Sequence, residues 1–160
     1  MAMTPEDIKT AYPLPVYNYK VDIGTDTVAF SEVSGLSIAY ETSVYKESST
    51  ESGKASPRVF RMPSQASETK LTLKKGLVPA KSQPALYDWI NSVSINQVIK
   101  KDIAISLCDE TGKAMVSWTV SNAFPTKLDA PTFDSNSNDV AVESLELMAD
   151  GVTINYQASS

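Results

Sequence analysis

The stretch Ile103–Val120, IAISLCDETGKAMVSWTV, decides the fold. Ile103, Ile105 and Leu107 alternate with Ala104, Ser106 and Cys108, the period of a strand with one face against a core. Asp109 to Gly112 turns the chain, and Val116, Trp118 and Val120 return it in the same alternation. Working outward, the period of two recurs. Val16 to Gly24 sets Tyr17, Tyr19, Val21 and Ile23 against Asn18, Lys20 and Asp22, and Thr27 to Val33 follows a short turn as the second arm of a hairpin. After the Ser34-Gly35 break, Leu36 to Val44 puts Leu36, Ile38 and Tyr40 on one face. Thr69 to Lys75 turns Leu71 and Leu73 inward and Lys70, Thr72 and Lys74 outward. Val140 to Ala149 is a strand whose apolar phase changes between Val142 and Leu145, which places a bulge near Glu143-Ser144. Val152 to Tyr156 is the last strand.

One helix interrupts the strands. Ser82 to Ser94 carries Pro84 at a first-turn position, and Leu86, Trp89, Ile90 and Val93 form one apolar stripe at i, i+3, i+4 and i+7. That stripe, with Trp118, is expected in the core. Ser43 to Gln65 is polar and serine-rich and reads as a long loop; Leu128 to Asn138 reads as a second. The organisation is then an N-terminal arm, residues 1–15, and one mainly β domain, residues 16–157, an antiparallel two-sheet barrel with one packed α-helix.

Composition narrows the chemistry. The chain has 160 residues and 17.3 kDa, enough for a single core without a metal or disulfide staple. It contains no histidine, which removes Ser-His-Asp and Cys-His nucleophile pairs and histidine zinc sites. Cys108 is the only cysteine and lies beside Asp109 and Glu110, which disfavour a thiolate. Ser52-Gly53-Lys54 lacks the first glycine of a phosphate loop, because position 48 is Ser48. Glu143 and Glu146, three apart on a strand, fall on opposite faces. The turn aspartates do not have the spacing of a calcium loop. No catalytic, cofactor or metal residues are expected, and no enzyme. A net charge of −5 and a pI near 4.7 argue against sequence-specific nucleic-acid binding. Met1 to Ala11 has no apolar export core, and no apolar run reaches the ~20 residues that span a bilayer, so membrane insertion is not expected.

Seven blocks in order carry a resemblance. Tyr12-Pro-Leu-Pro-Val-Tyr-Asn-Tyr, Phe30-Ser-Glu-Val-Ser-Gly-Leu, Leu71-Thr-Leu-Lys-Lys-Gly, Leu86-Tyr-Asp-Trp-Ile, Lys101-Asp-Ile-Ala-Ile-Ser-Leu, Trp118-Thr-Val-Ser-Asn-Ala-Phe-Pro-Thr-Lys and Val142-Glu-Ser-Leu-Glu-Leu resemble the tube proteins of contractile phage tails. They are most similar to those of extracellular contractile injection systems of the virulence-cassette and antifeeding-prophage type. The resemblance implies hexameric rings stacked into a hollow inner tube, with a sheath, baseplate and spike as partners and protein toxin or DNA cargo in the lumen. It implies assembly in the bacterial cytoplasm before release in a particle. A tube-initiator or adaptor subunit at the baseplate is the nearest alternative, because Ser43 to Gln65 is longer than the family's usual stretch there. A secreted ring protein of the haemolysin-coregulated type and a ligand-binding β-sandwich are two more.

Two surface expectations follow. The polar strand faces, with Lys70, Thr72, Lys74, Asp102, Ser106, Ser117 and Thr119, are small or charged without aromatics, as a non-adhesive lumen wall requires. The long loop brings Val59, Phe60 and Met62 beside Lys46, Arg58 and Arg61, a set suited to contact between rings.

Overall fold

The computed structural model describes residues 2–50, 53, 55–94 and 97–157. In chain order the elements are α1 (Pro5–Ala11), β1 (Tyr19–Ile23), β2 (Asp26–Val28), β3 (Glu32–Ser34), β4 (Tyr40–Ser49), β5 (Ser56–Ala66) and β6 (Thr69–Gly76). A helical segment follows, built from α2 (Pro79–Ser82), a π-helical stretch (Gln83–Tyr87) and α3 (Asp88–Asn91). Then come β7 (Lys101–Cys108), β8 (Ala114–Asp129), β9 (Val142–Ala149) and β10 (Gly151–Tyr156).

All strand pairs are antiparallel. One eight-stranded sheet runs β2-β1-β7-β8-β9-β6-β3 with β10 also beside β8, and β4 pairs only β5. The long β8 organises it. Its first half pairs β7 and β10, and its second half pairs β9. β9 and β10 keep one register against β8 on both sides of Asp150, so they are a single line of chain interrupted at one residue. Asn122 opposite this break has φ 54; its amide donates to Asp102 Oδ1 at 3.0 Å and its side chain to Asp150 Oδ2 at 2.8 Å. Asparagine tolerates the left-handed region better than most residues, and these bonds hold it there. The sheet folds over at this ribbon. Val21, Ile23, Ile103, Ile105 and Val120 from one half then share a core with Leu71, Leu73, Leu145 and Leu147 from the other.

The layers form an open sandwich, not the closed barrel expected from the sequence: β2 and β3 end the sheet and do not pair with each other. The first predicted hairpin is also divided. β2 stays with β1, whereas β3 joins β6 in the other half, because the chain leaves the sheet over Ala29–Ser31. Gly35 then passes so close to β6 that a Cβ there would overlap the Lys70 carbonyl oxygen. The bulge expected at Glu143-Ser144 is absent, since β9 pairs β6 without interruption from Val142 to Ala149; the register shift lies in β8 between Pro125 and Lys127. The arm contains α1, closed by a reciprocal Thr4–Asp7 capping box. Thr4 bonds to the Asp7 carboxylate hold its pKa below the usual value.

The helix starts at Pro79, three residues before the expected Ser82, and ends at Asn91. Pro84 is an interior residue, not a first-turn one. It supplies no amide donor, and the turn around it widens to π geometry. The widening rotates the stripe. Leu86 and Trp89 are buried, Ile90 is half-buried, and Val93 is 38% exposed beyond the helix end. The Trp89 indole donates to the Ile99 carbonyl at 2.8 Å, and the Lys101 ammonium lies 5.0 Å from its ring centroid. Trp118 is half-buried at the open mouth of the sandwich, not fully enclosed. Among the described residues no helix is long and apolar enough to cross a membrane.

Trp89→Ala is expected to lower stability by about 3–5 kcal/mol, whereas Val93→Ala should stay within about 0.5 kcal/mol of the parent. Denaturant melts of the two variants check the asymmetry, and equal losses would show that the stripe is not rotated.

Candidate assembly surfaces

The segment expected to be a loop, Ser43 to Gln65, lies in the antiparallel ribbon of β4 and β5. Ser52 and Lys54 of the incomplete phosphate-loop pattern lie outside the described residues. Every residue of β5 is exposed, so the ribbon projects with both faces in solvent. Residues directly opposite share a face. Ser43 faces Met62, Tyr45 faces Phe60, and Glu47 faces Arg58. On this side Tyr45 and Phe60 stack with centroids 6.3 Å apart, and the Arg58 guanidinium lies 5.6 Å from the Phe60 centroid. On the other side Val44 faces Arg61 and Lys46 faces Val59. The six residues expected at a ring contact are therefore divided: Arg58, Phe60 and Met62 on an aromatic side, Lys46, Val59 and Arg61 on a cationic one. An isolated two-stranded ribbon is marginal in water, and this one also displays apolar area on each side.

The polar strand faces divide as well. Lys70, Thr72 and Lys74 point away from the core on the β3-β6-β9 half, where Lys74 pairs with Glu32 at 3.3 Å and Lys70 with Glu68 at 3.4 Å. Asp102, Ser106, Ser117 and Thr119 point away from the core on the β1-β7-β8-β10 half. There Asp102 caps the Asn122 amide, and the Ser106 and Ser117 hydroxyls meet across the pair at 3.0 Å. Ser106 is only 4% exposed in the single chain. The seven residues thus occupy two outer faces on different sides of the sandwich.

Sequence reasoning passed over Lys75 and its pairing with Glu143. Both lie on the core side at the end of the β6–β9 pair, directly opposite each other. Lys75 is buried and its ammonium donates to the Ala29 carbonyl at 3.1 Å. The alternation itself carried the signal, since Leu71, Leu73 and Lys75 share one parity. Tyr19 donates to the Phe30 carbonyl at 2.7 Å, and burial, then the Glu32 charge, raises its pKa. Among the described residues no three His, Cys, Asp or Glu side chains group to hold a metal ion.

The family model of the T4-like virus tail tube protein gp19 matches residues 15–153. The chain belongs to this tail tube family. Its members are structural subunits of tail tubes, not enzymes. Among solved structures, a chain of the sheath–tube complex of the PVC extracellular contractile injection system in its extended state is 43% identical, with a TM-score of 0.88 over 98% of this chain and all of that one. A chain of the anti-feeding prophage tube-terminating cap is 46% identical, with a TM-score of 0.83 and the same coverage. A chain of the anti-feeding prophage baseplate shares the fold at 21% identity and a TM-score of 0.74, over 91% of this chain and 97% of that one. Comparison with curated protein sequences gives no match. In this tail tube protein the projecting ribbon, with apolar side chains exposed on both sides, is the feature that folding of one copy leaves uncovered.

Phe60→Ser is expected to leave the melting transition of the unassembled protein within about 1 kcal/mol of the parent, because the ring is exposed on the projecting ribbon and lies outside the core. A larger loss in denaturant melts would mean that the ribbon folds back on the body.

Proposed function

We propose that this tail tube protein is the repeating inner-tube subunit of a contractile injection system or contractile phage tail. In this reading it forms hexameric rings that stack around a cargo-conducting lumen. The observation that carries it is the 43% identity and 0.88 TM-score over 98% of the chain to a subunit of a sheath–tube complex. The 21% identity to the baseplate chain, against 43–46% for the sheath–tube and cap structures, favours the tube shaft over an initiator at the baseplate. Sheath, baseplate and spike proteins are the partners, and protein toxin or DNA is the cargo. Assembly takes place in the bacterial cytoplasm, followed by release in a particle.

Each surface has a place in this reading. The ribbon reaches the adjacent ring, with its Phe60 and Arg61 sides against different neighbours. The barrel left open in one chain is completed between copies. The face with Asp102, Ser106, Ser117 and Thr119 lines the lumen, because its hydroxyls and the Lys20–Asp22 ion pair beside Ser106 give a conduit a polar wall without apolar patches. The face with Lys70, Thr72 and Lys74 is turned towards the sheath.

Replacing Lys46 to Pro57 by a short Gly-Ser link should leave the fold and single rings intact and shorten the stacked particles seen by negative stain. Tubes of normal length and salt resistance would overturn the ring-to-ring role. The lumen assignment has its own check. With Cys108 buried, Thr119→Cys in assembled tubes should react with a small maleimide but not a polymer-linked one, while Lys70→Cys reacts with both. Equal labelling by the large reagent would reverse the two faces.

A further inference from the structure

We propose that the loop between β8 and β9 of one copy plugs a lysine-rimmed groove on a second copy; the proposal rests on the tube reading and specifies one of its contacts. The groove, about 900 Å³, lies between β1, β2 and the start of the helical segment. Val28, Phe30, Val78 and Pro84 contribute apolar wall. Lys20, Lys75, Lys81 and Lys101 line it, with Asp26 as the one lining carboxylate; Lys20 pairs with Asp22 at 3.8 Å and Lys75 is bonded to the Ala29 carbonyl, which leaves Lys81 and Lys101 as the main positive rim. In a chain of net charge −5 this is a local reversal of sign. It selects an occupant that is both apolar and acidic.

This chain presents such an occupant. After Lys127 the sequence carries Asp129, Asp134, Asp139, Glu143, Glu146 and Asp150 and no lysine or arginine. Within that stretch Phe133 is 86% exposed and Val140 79% exposed, so the phenyl ring neither joins its own core nor fills its own groove. The loop is also held in shape. The Asn136 amide donates to Asp134 Oδ1 at 3.0 Å, the Ser137 amide to the Asp134 carbonyl at 3.2 Å, and the Asp139 amide to Ser137 Oγ at 3.1 Å. A projecting aromatic on a preshaped turn docks with little ordering entropy left to lose. A ring buried in an apolar pocket and surrounded by complementary charge has the makeup of an interface hot spot. Knob and groove are different patches of one surface. Their contact is therefore heterologous, the kind that runs from each copy to the next around a ring.

The test uses the full chain under assembly conditions, with sedimentation velocity and negative stain for rings and tubes and a melting curve for the fold. Phe133→Ser, the pair Asp134→Lys and Asp139→Lys, and the pair Lys20→Glu and Lys81→Glu should each reduce assembled material about tenfold or more at unchanged melting temperature. Combining the two charge pairs in one chain should recover assembly. A parent that assembles while Phe133→Ser assembles equally well overturns the docking and leaves the tube reading standing. Failure of the combined variant to recover, with both charge pairs defective, overturns the match of loop to groove. A parent that forms neither rings nor tubes removes the tube reading and this contact with it.

Discussion

The bend at Asn122 is the constraint on which the rest of the structure depends. A continuous line from Val142 to Tyr156 runs beside β8, and the ribbon has to leave one half of the sheet and enter the other without losing its hydrogen bonds. Asn122 turns the chain in the left-handed region, a conformation that costs a non-glycine residue about 1–2 kcal/mol. Asp102 and Asp150 offset that cost, one from the neighbouring strand and one from the break in the facing strand. Because both halves own β8, they cannot separate without breaking its ladder. The leucines of β6 and β9 therefore stay opposite the β-branched residues of β1 and β7.

That arrangement also dictates which surfaces are left for other molecules. Once the two inner faces are spent on the core, the outer faces look in different directions and cannot serve the same neighbour. One carries the Lys70–Glu68 and Lys74–Glu32 pairs; the other carries hydroxyls beside the Lys20–Asp22 pair. The β4–β5 ribbon contributes nothing to the core, and its stacked Tyr45 and Phe60 are ordered by each other and by Arg58 within the ribbon. A fold of this kind keeps its interior economy separate from its assembly chemistry, so the contacts between copies vary without disturbing the sandwich.

Much of this was legible in the amino-acid order, and the misses share a cause. The period of two marks a strand only where one face is dry and the other wet. β6 and β7 meet that condition and were readable residue by residue. The ribbon does not: both of its faces are exposed, so Val44, Tyr45, Val59 and Phe60 show no alternation and the segment passed for a loop. Thr27 to Val33 kept its pattern while changing partners, because periodicity reports burial and not which strand lies alongside. The residues expected at a ring contact were grouped by composition, but their division between two sides required the register of Tyr45 with Phe60 and Lys46 with Val59. Pro84 misled in another way. Proline fits a first turn, and only the earlier Pro79 revealed it as the source of the π stretch. The helix in the arm had a readable signature, Thr4 three before Asp7 with Pro5 between them.

Cys108 closes β7 with 4% of the residue exposed, its thiol donating to the Ser106 carbonyl at 3.7 Å. In a polymer of identical subunits every surface group recurs at each repeat, so one accessible thiol per chain would become a row of thiols along the filament. Oxidants would then couple neighbouring copies and lock slippage or misregister into covalent errors. A single thiol, buried in each subunit, removes that route. The strength of the filament then rests on reversible contacts alone, and a misplaced copy is free to leave and be replaced.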